Sequence, residues 1–238
     1  MNISVCMATY NGEKFIQKQL DSILIQLTEN DEIIISDDSS GDNTVKIIES
    51  YQDSRIKLFK NNTFRSPAFN FENALRHVSK ELIFLSDQDD VWKPNKVQTM
   101  KEFLRTYSLI VSDCEVIDTE GNIIFDSFFE YRKSKKGFLK NIIKNSYIGC
   151  CMAFRSDLLP KILPIPPSNP KHAHDWWIGL IAEIYGNTYF HQEKLIAYVR
   201  HDSTATQTTK ASTHSFYDKF NMRWIMMRNL TLRISKLY

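Results

Sequence analysis

Nothing in the 238-residue sequence approaches the run of about 18–20 apolar residues that a membrane-spanning helix needs. Nor does it open on a basic region followed by a long apolar one, so Met1-Asn2-Ile3-Ser4-Val5-Cys6 carries no secretory signal. Cysteine is scarce: Cys6, Cys114, Cys150 and Cys151 form no CxxC pair, which argues against a zinc knuckle or a disulfide framework. The expectation is reduced thiols in the cytoplasm, acting as small buried hydrophobes. An excess of one charge is lacking too. With a formal net charge of +2 there is no global nucleic-acid signature, and a charged partner has to meet a local patch. There is no internal repeat, no low-complexity tract, and no Gly-rich phosphate loop after the first apolar run.

What is present, 42% hydrophobic and 24% charged residues, suits a soluble globular chain long enough for one sizeable core. The first half alternates strand and helix signals. Ile3 to Thr9 is a short apolar run ending in the turn Tyr10-Asn11-Gly12, and Glu13 to Leu27 has helical spacing. Glu32 to Ser36, with Ile33-Ile34-Ile35, reads as a buried parallel strand; Thr44 can cap a helix running to Tyr51. Ile56–Phe59 and Leu82–Leu85 give two more strands, Phe69–Val78 a helix, and Pro94 opens another over Asn95–Tyr107. Repeated βα units imply an α/β fold with a mostly parallel sheet between helices, and in such sheets ligands bind beyond the carboxyl ends of the strands.

The second half is less regular. Strands are expected at Leu109–Ile117, Asn122–Phe125, Tyr147–Phe154, near Thr188-Tyr189-Phe190 and at Leu195–Val199. Tyr131–Lys136 is expected as a mobile basic loop. Pro160 to Pro170, with five prolines in eleven residues, is expected as a loop before a helix over Asp175–Tyr185. The change near residue 108 suggests a nucleotide half (1–107) meeting an acceptor half (108–210) within one domain. Residues 211–238 follow as an amphipathic helix with Phe216, Phe220, Met227, Leu230, Ile234 and Leu237 on one side. That helix suits either an anionic membrane surface or packing on its own domain.

Asp87, Asp89 and Asp90 crowd three carboxylates into four residues at a strand end. A divalent cation, Mg2+ or Mn2+, would relieve their repulsion and neutralise a diphosphate; a solvated acidic turn is the plainer reading of the triplet alone. Asp38 can accept hydrogen bonds from a ribose or base; Asp37 is left open, and Asp42 suits a helix cap. In His174-Asp175-Trp176-Trp177, Asp175 can act as a general base or cap the helix, and the tryptophans can stack on a sugar or anchor the core. Arg200 can pair with a diphosphate, and His201 can ligate a metal or donate to phosphate, the alternative being a solvent-facing loop.

Three ordered stretches, Ser4–Gly12, Ile35–Thr44 and Phe84–Trp92, resemble family 2 glycosyltransferases of the GT-A fold, over about residues 2–202. The resemblance implies that Thr9, Tyr10 and Glu13 line the nucleotide pocket and Asp38 holds the base or ribose. Asp89 would be the main metal ligand of a DXD motif, Asp87 would line the sugar side, and Asp175 would be the base. His201 matches a histidine that in some members touches the metal or diphosphate. His174 stands where the family usually has Glu. The Asp-Gln-Asp-Asp-Val-Trp variant with His-Asp-Trp-Trp is most similar to rhamnosyltransferases of O-antigen or capsule assembly. The activity implied is inverting transfer from a dTDP- or UDP-sugar to a saccharide, lipid-linked at the inner face of the plasma membrane. Two rivals are a sugar-nucleotide pyrophosphorylase, for which the Gly-rich loop is missing, and a degenerate binding domain. The joint presence of Asp89, Asp175 and His201 speaks against the second.

Overall fold

In the computed structural model, which describes residues 1–167, 174–201 and 215–236, a nine-stranded mixed sheet runs through both halves of the chain. The elements of the first half are β1 (Ile3–Thr9), α1 (Ile16–Leu24), β2 (Glu32–Asp37), α2 (Thr44–Ser50), β3 (Ile56–Phe59), α3 (Pro67–Arg76) and β4 (Leu82–Ser86). Then come β5 (Val91–Trp92), α4 (Lys96–Phe103), β6 (Leu109–Ile117), β7 (Ile123–Phe125), α5 (Phe128–Arg132), α6 (Phe138–Ile143) and β8 (Met152–Arg155). The last are α7 (Leu159–Ile162), α8 (His174–Tyr185), β9 (Thr188–Val199) and α9 (Phe216–Ser235). The strand order is β3-β2-β1-β4-β8-β6-β9-β5, with β7 paired to β6.

The four strands β3, β2, β1 and β4 pair in parallel; the apolar runs of β1, β2 and β4 suit strands buried on both faces, while β3, Ile-Lys-Leu-Phe, is the half-exposed edge. Every residue of β2 and β4 is buried. The register sets Thr9 beside Asp37 and Met7 beside Ser86, so the loops that follow these strands leave the sheet at one level. Beyond β4, β8 is antiparallel to both β4 and β6, while β9 runs parallel to β6.

Several expectations for the second half are corrected. The strand expected over Tyr147–Phe154 is shortened to β8, because Gly149–Cys151 winds into a 3-10 turn. The two short strands after Gly186 are one twelve-residue strand, β9. The basic segment is not a plain loop: Tyr131 and Arg132 close α5, whose Phe128 and Phe129 are buried, and Lys133 ends it in the left-handed region at φ 56°. Pro94 precedes α4 instead of opening it, and α4 stops at Phe103. The Gly-free cap at Thr44 also differs: the Thr44 hydroxyl accepts from Gly12 N, and Asp42 Oδ1 caps the Thr44 amide. Residues 168–170 of the proline-rich stretch, Asp202, the boundary at 210/211 and Leu237 lie outside the described residues.

Helix α8 is apolar on nearly every side and sits inside the core. Trp177 is fully buried, and its indole N–H donates to Ile162 O at 2.8 Å. Removing this side chain leaves a large cavity and an orphaned carbonyl. Trp177→Ala should lower stability by about 3–5 kcal/mol, read as a shifted urea midpoint; a shift under about 1 kcal/mol would show that α8 does not hold the core.

Candidate active site

Hydrogen bonds stitch the strand-end loops together. Asp37, fully buried, accepts from Thr9 Oγ1 (2.8 Å), Ser40 N (2.8 Å) and Ser40 Oγ (2.6 Å), which ties the end of β1 to the turn after β2. Asn11, at φ 48°, donates its amide to Ser40 Oγ and accepts Gly41 N on its side chain. The Gln88 side chain makes two bonds with the Tyr10 backbone, accepting its N–H at 2.9 Å and donating to its O at 3.0 Å. This contact needs Gly12: a Cβ there would lie 2.4 Å from Gln88 Oε1. In the sequence, the one local signal for this role of Gln88 is the glycine that follows the first strand at a turn.

These loops line an open cleft of about 1510 Å3, with the rest of its wall from α5, the 143–149 segment, α8 and α9. Of the residues foreseen from sequence, Thr9, Tyr10, Asp38, Asp87, Asp89, Asp175 and His201 all line it. Glu13 and Arg200 do not. The Glu13 carboxylate accepts from Asn43 N and Nδ2, so it fastens the start of α2. Arg200 N bonds Ile117 O, and its Nη1 is buried with no partner among the described residues. Tyr10 is 58% exposed, whereas the Thr9 hydroxyl is committed to Asp37. Asp38 Oδ1 accepts from Phe64 N at 2.6 Å.

At the end of β4 the acidic residues part ways. Asp89 Oδ2 lies 2.8 Å from His201 Nε2, and the His201 ring stacks on Phe15 at 4.3 Å. Asp90 is buried outside the cleft: Oδ1 accepts Val199 N at 3.1 Å, holding the loop to β9, and Oδ2 is buried without a partner among the described residues. Burial, with the charges of Asp89 and Asp175 beside it, pushes the Asp87 carboxyl up to about 8; burial and the charges of Asp89 and Asp87 push Asp90 well above the carboxylate range. Behind them Lys96 is fully buried, its ammonium bonded to Cys150 O at 2.7 Å and set 4.4 Å over the Trp92 ring. Its burial lowers it to about 8.

This donor set fits a divalent cation. The donors that face the cleft are the Asp87 and Asp89 carboxylates and the His201 imidazole; a ligand atom of Asp87 also lies within 4.8 Å of ones from Cys150 and from Asp90, whose orphaned oxygen a cation would satisfy. The oxygens suit Mg2+ or Mn2+; the Cys150 thiol, pushed far up by its bond to Cys151 and by burial, is a poor ligand for either.

Asp175 begins α8 and accepts the neighbouring Trp176 N at 2.6 Å. Burial raises it to about 7. His174 is buried and stacks on Phe71 at 4.2 Å, and a Cβ on Gly149 would lie 2.8 Å from its Nε2. The residue standing in place of the usual Glu therefore wedges the first turn of α8. Trp176 and Trp177 are both buried, and the Trp176 indole donates to Asn141 O; Trp176 also lines the cleft.

A family model described as "Glycosyl transferase family 2" matches residues 4–163. The chain is 30% identical, over 75% of its length and 68% of the other's, to UDP-Glc:alpha-D-GlcNAc-diphosphoundecaprenol beta-1,3-glucosyltransferase WfgD of Escherichia coli. Over 39% of its length, and 34% of the other's, it is 41% identical to dTDP-rhamnosyl transferase RfbG of Shigella flexneri. Its fold resembles residues 1–349 of TarS from S. aureus, crystallised with UDP-GlcNAc, at a TM-score of 0.74 and 19% identity, covering 98% of this chain and 69% of that one.

Because protons compete with a cation for these carboxylates, Mn2+ should raise the melting temperature more near pH 8 than near pH 6, and Asp89→Asn should remove most of that gain. An equal rise at both pH values would show that the acidic cluster is not where the ion binds.

Proposed function

The chain belongs to glycosyl transferase family 2, and on that premise we propose that it is an inverting, metal-dependent enzyme moving a hexose from a nucleoside-diphosphate sugar to a saccharide acceptor. The observation that carries this reading is the single cleft in which Asp38, Asp89, His201 and Asp175 meet. The donor end is the stitched strand-end loops: the Tyr10 ring and the Asp38 carboxylate hold the base and ribose, and Gln88 fixes the Tyr10 backbone beside them.

Asp89 and His201 are the proposed metal ligands, and Mn2+ or Mg2+ held there would supply the positive charge that offsets the departing diphosphate. Asp87 borders the sugar. Asp175 takes the proton from the acceptor hydroxyl, and its raised pKa of about 7 matches that task near neutral pH. Attack on the face opposite the leaving diphosphate inverts the anomeric carbon. Arg200, foreseen as a diphosphate partner, lies outside the cleft lining and is given no part in this step.

The donor reading has two sources. The Asp-Gln-Asp-Asp-Val-Trp variant with His-Asp-Trp-Trp and the partial likeness to the Shigella enzyme support dTDP-rhamnose, while the longer likeness to the Escherichia enzyme supports UDP-glucose. The latter relative acts on a diphosphoundecaprenol-linked sugar, which supports a lipid-linked acceptor at the cytoplasmic membrane face, within surface-polysaccharide assembly.

A thermal-shift screen of dTDP-, UDP- and GDP-sugars with and without Mn2+ tests the class. One sugar nucleotide should stabilise the protein in a metal-dependent way and be consumed with an added acceptor, whereas stabilisation by none would remove the proposal. Asp175→Asn should keep donor binding and lose transfer by roughly 10^2–10^4-fold. In the unmodified enzyme kcat/KM should rise with pH through about 7, since the deprotonated carboxylate is the active form. Transfer by Asp175→Asn at the parental rate would assign the base elsewhere.

A further inference from the structure

The sequence stripe assigned to the last helix does not stay together in the structure. Leu230 is buried with Met226, and Arg233 reaches the carbonyls of Lys161 and Leu163 with its guanidinium 5.2 Å over the Trp177 ring. Lys219, Met222 and Arg223 line the cleft. The remaining face of α9 carries Phe216, Phe220, Trp224 and Met227 at i, i+4, i+8 and i+11, with Tyr217 alongside. Phe216 is 87% exposed and Trp224 64%. Arg223 donates to Ile143 O, which brings the end of α6 against α9, and α6 adds Leu139 (76% exposed) and Ile143 (66%).

Charge accompanies this apolar surface. Residues 132–144 hold six cations and no acid, although the whole chain carries only +2. Lys133, Lys135, Lys136, Lys140 and Lys144 have no ion pair among the described residues. On Lys140, burial and then the charges of Lys135 and Lys144 depress the ammonium's pKa, a crowding that a nearby anion would relieve. Helix α9 adds Lys219, Arg223 and Arg228 against one acid, Asp218. Exposed aromatic rings on a helix too polar to cross a bilayer, beside a segment of lysines without ion pairs among the described residues, are what the headgroup layer of an anionic membrane accommodates.

We propose that the exposed faces of α6 and α9 dock on an anionic phospholipid bilayer, setting the cleft mouth, with Arg132, Lys144, Lys219 and Arg223 in its lining, at the headgroup level. The proposal rests, for its purpose, on the reading of the acceptor as lipid-linked. Its test needs neither donor nor acceptor, so the two fail separately.

Trp92, Trp176 and Trp177 are buried, which leaves Trp224 as an exposed fluorophore among the four tryptophans. Vesicles of phosphatidylcholine mixed with phosphatidylglycerol should shift its emission to the blue and carry the protein upward in a flotation gradient, less so as salt is raised. Pure phosphatidylcholine vesicles should do neither. Phe216→Ser/Phe220→Ser and Lys135→Glu/Lys140→Glu should each reduce the floated fraction at least about tenfold at an unchanged melting temperature. Failure of the unmodified protein to float with the mixed vesicles overturns the proposal. So does flotation of both variants to the same extent as the unmodified protein, or an apolar face already covered in a vesicle-free dimer.

Discussion

Strand β1 lies between β2 and β4 with all three pointing the same way, and the rest of the site depends on that parallel register. Parallel neighbours deliver their carboxyl ends to the same edge, with Asp37 beside Thr9 and Ser86 two residues back beside Met7, so their loops must share one small space. Polar backbone there cannot be left unpaired. The buried Asp37 carboxylate resolves much of the problem with three accepted hydrogen bonds, and Gln88 does the same from the other side by mimicking a strand partner for Tyr10. Gly12 is the cost of that contact, because no Cβ fits against the Gln88 amide.

The second constraint is electrostatic. Asp90 is buried and Asp87 half-buried in the cleft wall, with like charge close to both, so both resist ionisation. Lys96 offsets part of this from the opposite side while bonded to Cys150 O and covered by Trp92. Cys114, Cys150 and Cys151, buried free thiols, lie close enough to act on these charges without bridging. A cation at the proposed site would relieve this repulsion, which is the physical content behind the proposed metal role.

The parts legible in the sequence were those with local signals. Ile33-Ile34-Ile35 and Ile83-Phe84-Leu85 marked buried strands because continuous apolar runs fit strands covered on both faces, and the acidic cluster gained meaning from following one of them. His174-Asp175 opening an apolar helix was equally local. What escaped was long-range. Nothing near Gln88 announces that its partner lies at Tyr10, and Lys96 reads as a surface residue until Trp92 and Cys150 fold around it. Glu13 and Arg200 show the converse: residue type and motif position suggested the pocket, but Asn43 captures one and Ile117 O anchors the other's backbone outside it. In the basic stretch the lysines obscured two short helices whose buried Phe128, Phe129 and Asn141 do the packing.

The two-residue strand β5 is small, yet it pairs Val91 with Ala197 and Trp92 with Ile196, just after the acidic cluster and just before Arg200-His201. Asp90 adds a bond to Val199 N on the same seam. Asp89 and His201, 112 residues apart in the chain, thus flank the paired β5 and β9. A perturbation that tilts these two strands would tilt both side chains together, keeping their mutual distance while altering how they face the cleft. Drift among homologous chains would therefore be expected to appear as changes in the aim of the pair, with its spacing kept.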